Sequence, residues 1–302
     1  MGTLAVTTCA GLALALCSVA VAASGCAAEV ASSAEPIVAG EASADETVVA
    51  VVPRRVLCEE TPTAVCSGVL IAPSIVLTAA HCIENARFRG DLEVFFGAVI
   101  GGEGTYVVVS AFEVDPAYDP TTGEHDLALM ALADVAPVSP HVLTAGSIDE
   151  VAPGAALRVV GYGTSGPRED DGGERRSGAM TLTEVREASF DASPSPGLSC
   201  QGDSGGPVFA DVGGSEVLVG MTVRGDSACR ERAMHVRIDA VLETFIRPTT
   251  LELEALGPAW PTTAIALDDL ASTDCASDDD CPALMRCGTD ASGAPRCALL
   301  GL

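Results

Sequence analysis

Three separated segments of the chain carry residue types that can cooperate in nucleophilic chemistry. Leu77-Thr78-Ala79-Ala80-His81-Cys82 ends an apolar run on a histidine, and His125-Asp126-Leu127-Ala128-Leu129 opens another on an aspartate. Cys200-Gln201-Gly202-Asp203-Ser204-Gly205-Gly206-Pro207 sets a serine in a glycine-rich loop. A serine hydroxyl is a poor nucleophile near neutral pH and needs an adjacent base. The neutral imidazole of His81 is suited to take that proton and return it to a leaving amine. A carboxylate such as Asp126 would hold the imidazole in the useful tautomer and stabilise its charged form. The glycines let backbone N–H groups turn inward, which makes the amides of Gly202 and Ser204 candidates for an oxyanion hole. Taken singly, His81 or Asp126 would be read as structural; the glycine-rich serine loop is the specific signal.

In the order His, Asp, Ser, these segments resemble the chymotrypsin/trypsin family of serine proteases. The resemblance covers about residues 37–247 and rests on Ile37-Val38-Ala39-Gly40, Cys66-Ser67-Gly68, Ala79-Ala80-His81-Cys82, Asp126-Leu127-Ala128-Leu129, Val160-Gly161-Tyr162-Gly163 and the Ser204 loop. It implies a serine endopeptidase acting on protein or peptide substrates through an acyl-enzyme, with His81, Asp126 and Ser204 as catalytic residues and no cofactor or metal. It also implies an all-β fold, two packed six-stranded antiparallel barrels and a C-terminal helix, with the triad in the cleft between the barrels. Disulfides Cys66–Cys82 and Cys200–Cys229 follow from the same likeness, one pinning the histidine loop and one framing a specificity pocket. The alternative is a non-catalytic relative that uses the same barrels for binding.

The elements that must position these residues are short. Strand-like runs are expected at 47–52, 68–77, 92–96, 105–109, 127–132, 156–160, 180–185, 206–209, 217–223 and 234–238, separated by turn residues. The segment 166–178, acidic, basic and glycine-rich together, reads as a solvated loop. Apolar residues at helical spacing over 239–246 predict a terminal helix.

Activation and specificity depart from the family pattern. There, a new N-terminus freed by cleavage pairs with the carboxylate before the catalytic serine, which here implies the pair Ile37 and Asp203. A buried carboxylate needs a compensating charge, and an α-amino group would supply it. Yet Glu35-Pro36 precedes Ile37 where Lys or Arg is usual, so either a protease of another specificity trims the linker or activation takes a different route. Similarity puts Leu198 at the base of the pocket, with Gly225 and Ala233 on its walls, which implies a small or apolar P1 side chain. Val223-Arg224-Gly225 stands where the family usually shows Ser-Trp-Gly. Arg224 reads either as an attractor of acidic substrates or as a solvated surface residue.

Composition agrees with an exported protein. The net charge is −26, and every one of the 16 basic residues is Arg. Such a balance argues against a nucleic-acid partner, because a phosphate backbone would be repelled. Residues 1–26 read as a signal peptide with an apolar stretch over 12–23, although no Arg precedes Arg54. Ala23-Ser24-Gly25-Cys26 reads either as a lipobox that would anchor the chain by lipid at a bacterial cell envelope, or as an ordinary cleavage site beside an incidental Cys. Apart from Cys9, Cys17 and Cys26, nine cysteines remain, an odd number, so one is free or pairs with Cys26, and Cys58 is the candidate.

The chain then divides into a linker at 27–36, a protease domain at 37–250, a linker at 251–270 and a Cys-rich acidic tail at 271–302. The tail's C-x5-C-x5-C-x9-C spacing suits a small disulfide-stapled module. Asp278-Asp279-Asp280 lacks the spaced ligands and turn glycine of a calcium loop. Gly161 to Gly166 matches G-x-G-x-x-G, but a Pro and a charged loop follow instead of the helix that a dinucleotide site needs.

Overall fold

The computed structural model describes residues 37–54, 64, 66–84, 92–144, 146–256, 285–289 and 295–299. The expected signal peptide and linker with Cys26, residue Cys58 and most of the tail lie outside these described residues.

After a two-residue strand β1 (Glu41–Ala42) come β2 (Val48–Pro53), β3 (Cys66–Ala72), β4 (Ile75–Thr78), β5 (Leu92–Gly97), β6 (Gly104–Val114) and β7 (Ala128–Leu132). These six close into an antiparallel barrel in the order β2-β3-β4-β7-β6-β5. Val and Leu dominate because branched side chains pack well on a pleated, curved surface. Each residue from Val48 to Val52 is buried, as is every residue of β3, β4 and β7. The expected single strand at 68–77 is two strands. Pro73 cannot donate to a ladder, so the chain turns at Pro73-Ser74 and β4 runs back along β3.

The second barrel holds β8 (Ala156–Gly161), β9 (Arg176–Val185), β10 (Ser189–Pro194), β11 (Pro207–Val212), β12 (Ser215–Gly225) and β13 (Ala233–Arg237). Their order is β9-β10-β13-β12-β11-β8, closed by β8 on β9, and β1 adds to β9. Strand β10, Ser-Phe-Asp-Ala-Ser-Pro, shows no apolar alternation and is absent from the expected set. Its buried Asp191 is carried by Arg186 at 2.6 Å, a partner that periodicity does not reveal. The expected loop at 166–178 also ends early, because Arg176 and Ser177 already pair with Gly161 and Val160.

The barrels meet where β2 and β3 face β8. Tyr162, fully buried, reaches from the end of β8 into the first barrel, its hydroxyl 2.5 Å from the Gly97 carbonyl and 3.2 Å from that of Val48. Burial pushes its phenol up to about 12, so it remains a neutral donor at any ordinary pH.

Chain termination differs from expectation. The helix begins as Ile238–Val241, passes through a π-helical turn at Leu242–Ile246 and continues as Arg247–Leu256. Pro248 does not stop it; the Arg247 amide bonds Leu242 O, and this wider turn precedes the proline. The helix therefore runs past the expected boundary at 250, and Leu253 is buried within the first barrel's core cluster. Farther on, Met285–Thr289 and Pro295–Leu299 form an antiparallel hairpin with 287 opposite 297. Among the described residues, no helix is long and apolar enough to cross a membrane.

Candidate active site

His81 sits in a short helix, Ala80–Glu84, that directly follows β4. Asp126 lies two residues before β7 starts at Ala128, on a turn whose preceding residue His125 has φ +54. That left-handed conformation is uncommon outside glycine; His125 Nδ1 lies 3.1 Å from Asp115 Oδ2, which fixes the turn. Because β4 pairs with β7, with Thr78 opposite Ala128, the two residues meet. His81 Nδ1 lies 2.7 Å from Asp126 Oδ2, and the His81 amide donates to Asp126 Oδ1 at 2.9 Å. The carboxylate side chain is 5% exposed and the imidazole 24%. The pair is thus braced twice, through side chain and backbone.

Ser204 comes from the loop between β10 and β11, and the first barrel holds that loop in place. The Ser67 amide donates to Ser204 O at 2.7 Å, and the Ser67 hydroxyl donates to Gly202 O at 2.9 Å. The same hydroxyl oxygen accepts from the Tyr162 amide at 2.9 Å. Gly205 passes so close that a Cβ would stand 2.2 Å from Thr78 Oγ1 and 2.4 Å from Ser67 O. Gly202 has φ +93, which turns the backbone as no L side chain comfortably allows. Among the described residues, the amides of Gly202 and Ser204 donate to no protein acceptor, whereas those of Asp203, Gly205 and Gly206 all do. Two N–H groups are therefore left available beside the serine.

His81 and Ser204 both approach one sulfur. Cys82 Sγ is 3.8 Å from His81 Nε2 and 3.8 Å from Ser204 O. No hydrogen bond joins His81 Nε2 to Ser204 Oγ among the described residues; such contacts commonly tighten only when substrate is bound. Cys66 and Cys82 are bonded, as are Cys200 and Cys229. The sulfurs near His81 are thereby spent, so the Cys66, His81 and Cys82 cluster is not a metal-binding set.

Fold and geometry converge with similarity at this point. The sequence model of the Trypsin family matches residues 37–243. The chain belongs to the trypsin family. It is 30% identical to coagulation factor XII of Sus scrofa over 204 residues, 55% of this chain and 32% of that protein. It is 34% identical to Serine protease 56 of Homo sapiens over 189 residues, 53% of this chain and 30% of the other. It is 27% identical to Trypsin of Saccharopolyspora erythraea over 207 residues, 60% of this chain and 85% of that one. The chain therefore spans about a third of the first two relatives, 32% and 30%, and most of the third.

In this trypsin-family chain the cavity beside Ser204 encloses about 200 Å³. Ser199, Gln201, Thr222, Val223 and Gly225 line it. Of the three expected pocket residues, Gly225 is there, while Leu198 and Ala233 are not. Both are fully buried in the second barrel's core cluster, because their side chains face its apolar interior. Asp226, the one carboxylate on the cavity, accepts from the amides of Ala228, Arg230, Glu231 and Arg232. Burial raises its pKa, but those amides outweigh burial and hold it at about 2. Arg224 is exposed and reaches across to the carbonyls of Pro120 and Thr121, each at 3.4 Å.

Ile37 is fully buried, with φ +40. Next to it, Val38 exchanges backbone bonds with Leu198 at 3.0 and 3.3 Å. No hydrogen bond or ion pair joins Ile37 to Asp203 among the described residues, since its nitrogen is part of a peptide bond in the intact chain. Asp203 is fully buried and accepts from the amides of Gly163 and Cys200, each at 2.8 Å. Burial pushes it up to about 7, against the pull of those two amides and of Arg176.

Residues that the motifs did not single out prove central to the arrangement. Ser67 ties the two barrels together at the serine loop, and the Thr78 hydroxyl donates to Ser67 O at 2.7 Å. Ser67 lay inside a quoted motif without a role; its signal was a small hydroxyl residue beside a half-cystine.

Proposed function

We propose that this protein is an exported serine endopeptidase. Ser204 attacks the scissile carbonyl, His81 accepts its proton and returns it to the leaving amine, and Asp126 orients and stabilises the imidazolium. The amides of Gly202 and Ser204 take the developing oxyanion, each worth roughly 10²–10³-fold in rate. The observation that carries this reading is the doubly bonded His81–Asp126 pair, 2.7 Å at the side chains, facing a serine loop with two unengaged amides.

The P1 preference is for a small or apolar side chain. A cavity of about 200 Å³ has limited room, and its single carboxylate, Asp226, is already engaged by four backbone amides and offers little to a Lys or Arg. The protease unit extends from Ile37 through the terminal helix, with the Cys-rich tail as a separate appendage. Export, and lipid anchoring at Cys26 if the lipobox is used, account for the disulfides and the acidic composition.

A fluorophosphonate probe tests the activity, with Ser204→Ala as control. Labelling of the purified protein is expected and should vanish in the variant. Absence of Ser204-dependent labelling would favour the non-catalytic binding protein. A peptide library should show cleavage after small or apolar residues; dominant cleavage after Arg or Lys would remove the specificity assignment.

A further inference from the structure

A second cavity, of about 340 Å³, adjoins the one beside Ser204 and shares Arg224, Gly225 and Asp226 with it. Its charge runs against the rest of the molecule. The chain carries 42 acidic residues and 16 basic ones, yet Arg186, Arg224 and Arg232 all line this one cavity, beside Glu124, Asp191 and Asp226.

The partners of those six side chains decide what the cavity offers a ligand. Asp191 is 3% exposed and bonded to Arg186 at 2.6 Å, so this pair is closed on itself. Asp191 Oδ1 has no hydrogen-bond partner but is buried within the wall. Asp226 is taken by four backbone amides. Arg232 is lightly held, since its exposed side chain meets Asp191 only at 3.5 Å. Arg224 forms no ion pair among the described residues, and its two carbonyl contacts, each at 3.4 Å, are long for hydrogen bonds. Two lightly committed guanidinium groups therefore face the cavity against one exposed carboxylate, Glu124. A guanidinium gains more from a carboxylate, which it can grip through two parallel N–H bonds, than from neutral carbonyls at such distances.

Strand order fixes which part of a substrate arrives there. Strand β11 pairs with β12 only as far as Met221, opposite Pro207, and the Gly205 amide then bonds Thr222 O. Residues 223–225 consequently have β13 on one side and, among the described residues, no strand on the other. Such an edge accepts an extended peptide by backbone pairing. Laid antiparallel, like every neighbouring pair in this barrel, the peptide has its C-terminal end at Thr222, next to the Ser204 loop, and its N-terminal end beyond Gly225. At ~3.4 Å per residue, side chains about two to four residues before the scissile bond then pass Arg224 and the second cavity.

We propose that this cavity is a subsite for an acidic side chain of the substrate, about two to four residues before the scissile bond, and that Arg224 selects it. This inference rests on the endopeptidase reading above and adds a second determinant to its P1 assignment.

The test uses internally quenched peptides built on a sequence that the library digest shows to be cut. Glu, Gln or Lys is placed in turn at each position from about two to four residues before the cut. The ratio of kcat/KM for Glu over Gln is read at each position, because within one enzyme it cancels any general loss of activity. In the parent protein it should reach at least about fivefold at one position or more. Arg224→Glu should bring the Lys peptide above the Glu peptide at that position. A parental ratio below about fivefold at all three positions overturns the proposal, as does a Glu preference that survives in R224E. If R224E fails to fold, R224Q takes its place, and a ratio still above about fivefold there is equally fatal. A protein that cuts no peptide of the library sinks the endopeptidase reading, and this inference with it; one that cuts them without the Glu preference sinks this inference alone.

Discussion

The two barrels build their halves of the site from different materials. The first supplies His81 and Asp126 from strands β2, β3, β4 and β7, buried at nearly every position and mostly by aliphatic side chains, and its three buried carboxylates, Glu93, Asp115 and Asp126, lie outside those four strands. The second supplies Ser204 and the cavity, yet it encloses Arg176, Asp191, Asp203, His235 and Arg237, all buried. An aliphatic frame holds its geometry through packing, which is insensitive to pH or chain cleavage. A frame containing buried ionisable groups is held by pairings whose strength changes with protonation. The half that carries Ser204 is therefore the half open to adjustment.

Three substitutions would break or sharpen that contrast. The largest effect belongs to the first barrel's pair. Asp126→Asn should leave folding nearly intact and lower kcat by about 10⁴-fold, because the imidazole is then held in the wrong tautomer. Thermal melts and steady-state kinetics measured side by side would check this, and a loss of less than about a hundredfold would contradict the assigned role.

The tie between the barrels comes next. Ser67→Ala removes the hydroxyl that bonds both Gly202 O and the Tyr162 amide, each at 2.9 Å. A buried polar group left without its partner costs about 1–3 kcal/mol. Urea unfolding should show a loss of that size, accompanied by a fall in kcat as the serine loop loosens. A stable variant of full activity would mean that the backbone bond from Ser67 to Ser204 suffices.

The smallest effect tests the second barrel's sensitivity to pH. His235 is fully buried, 5.0 Å from the Phe190 ring, and its burial lowers its pKa from 6.5 to about 3. Between those values the unfolded chain binds a proton that the native protein refuses, so stability present above 6.5 is lost as pH falls toward 3. Asp203 works in the opposite sense. Its raised pKa, about 7 against 3.8, means the native protein holds a proton that the unfolded chain has released, so stability grows as pH falls through that window. His235→Phe should therefore raise stability at pH near 4 relative to pH near 7.5, compared with the parent. An unchanged pH profile would show that His235 does not titrate on unfolding.

Much of the site was legible in the sequence because its chemistry is local. The Ser204 loop needs its glycines within a few residues, and histidine and aspartate each sit beside an apolar strand. The strands of the first barrel were legible for the same reason: runs such as Val48 to Val52 leave little alternative. Less was legible in the second barrel. Strand β10 hides behind Ser, Asp and Pro, because its burial depends on Arg186, met only in space. Leu198 and Ala233, expected at the pocket, lie buried in the second barrel's core cluster, because alignment gives an order of residues and not the direction of a side chain. The terminal helix was expected over 239–246, but a π-helical turn before Pro248 carries it on to Leu256.

By itself the sequence determined the glycine-rich serine loop, the two distant segments read with it, the β-barrel class and the missing basic residue before Ile37, since each depends on residue type and short spacing. The tertiary structure decided how the halves are joined. Ser67 reaches Gly202 across 135 residues, and His81 meets Asp126 only because β4 pairs in register with β7. The physical reason is that hydrogen bonds and charges act over a few ångströms, whatever the distance along the chain. Their partners are chosen by strand register and burial, which no short segment specifies.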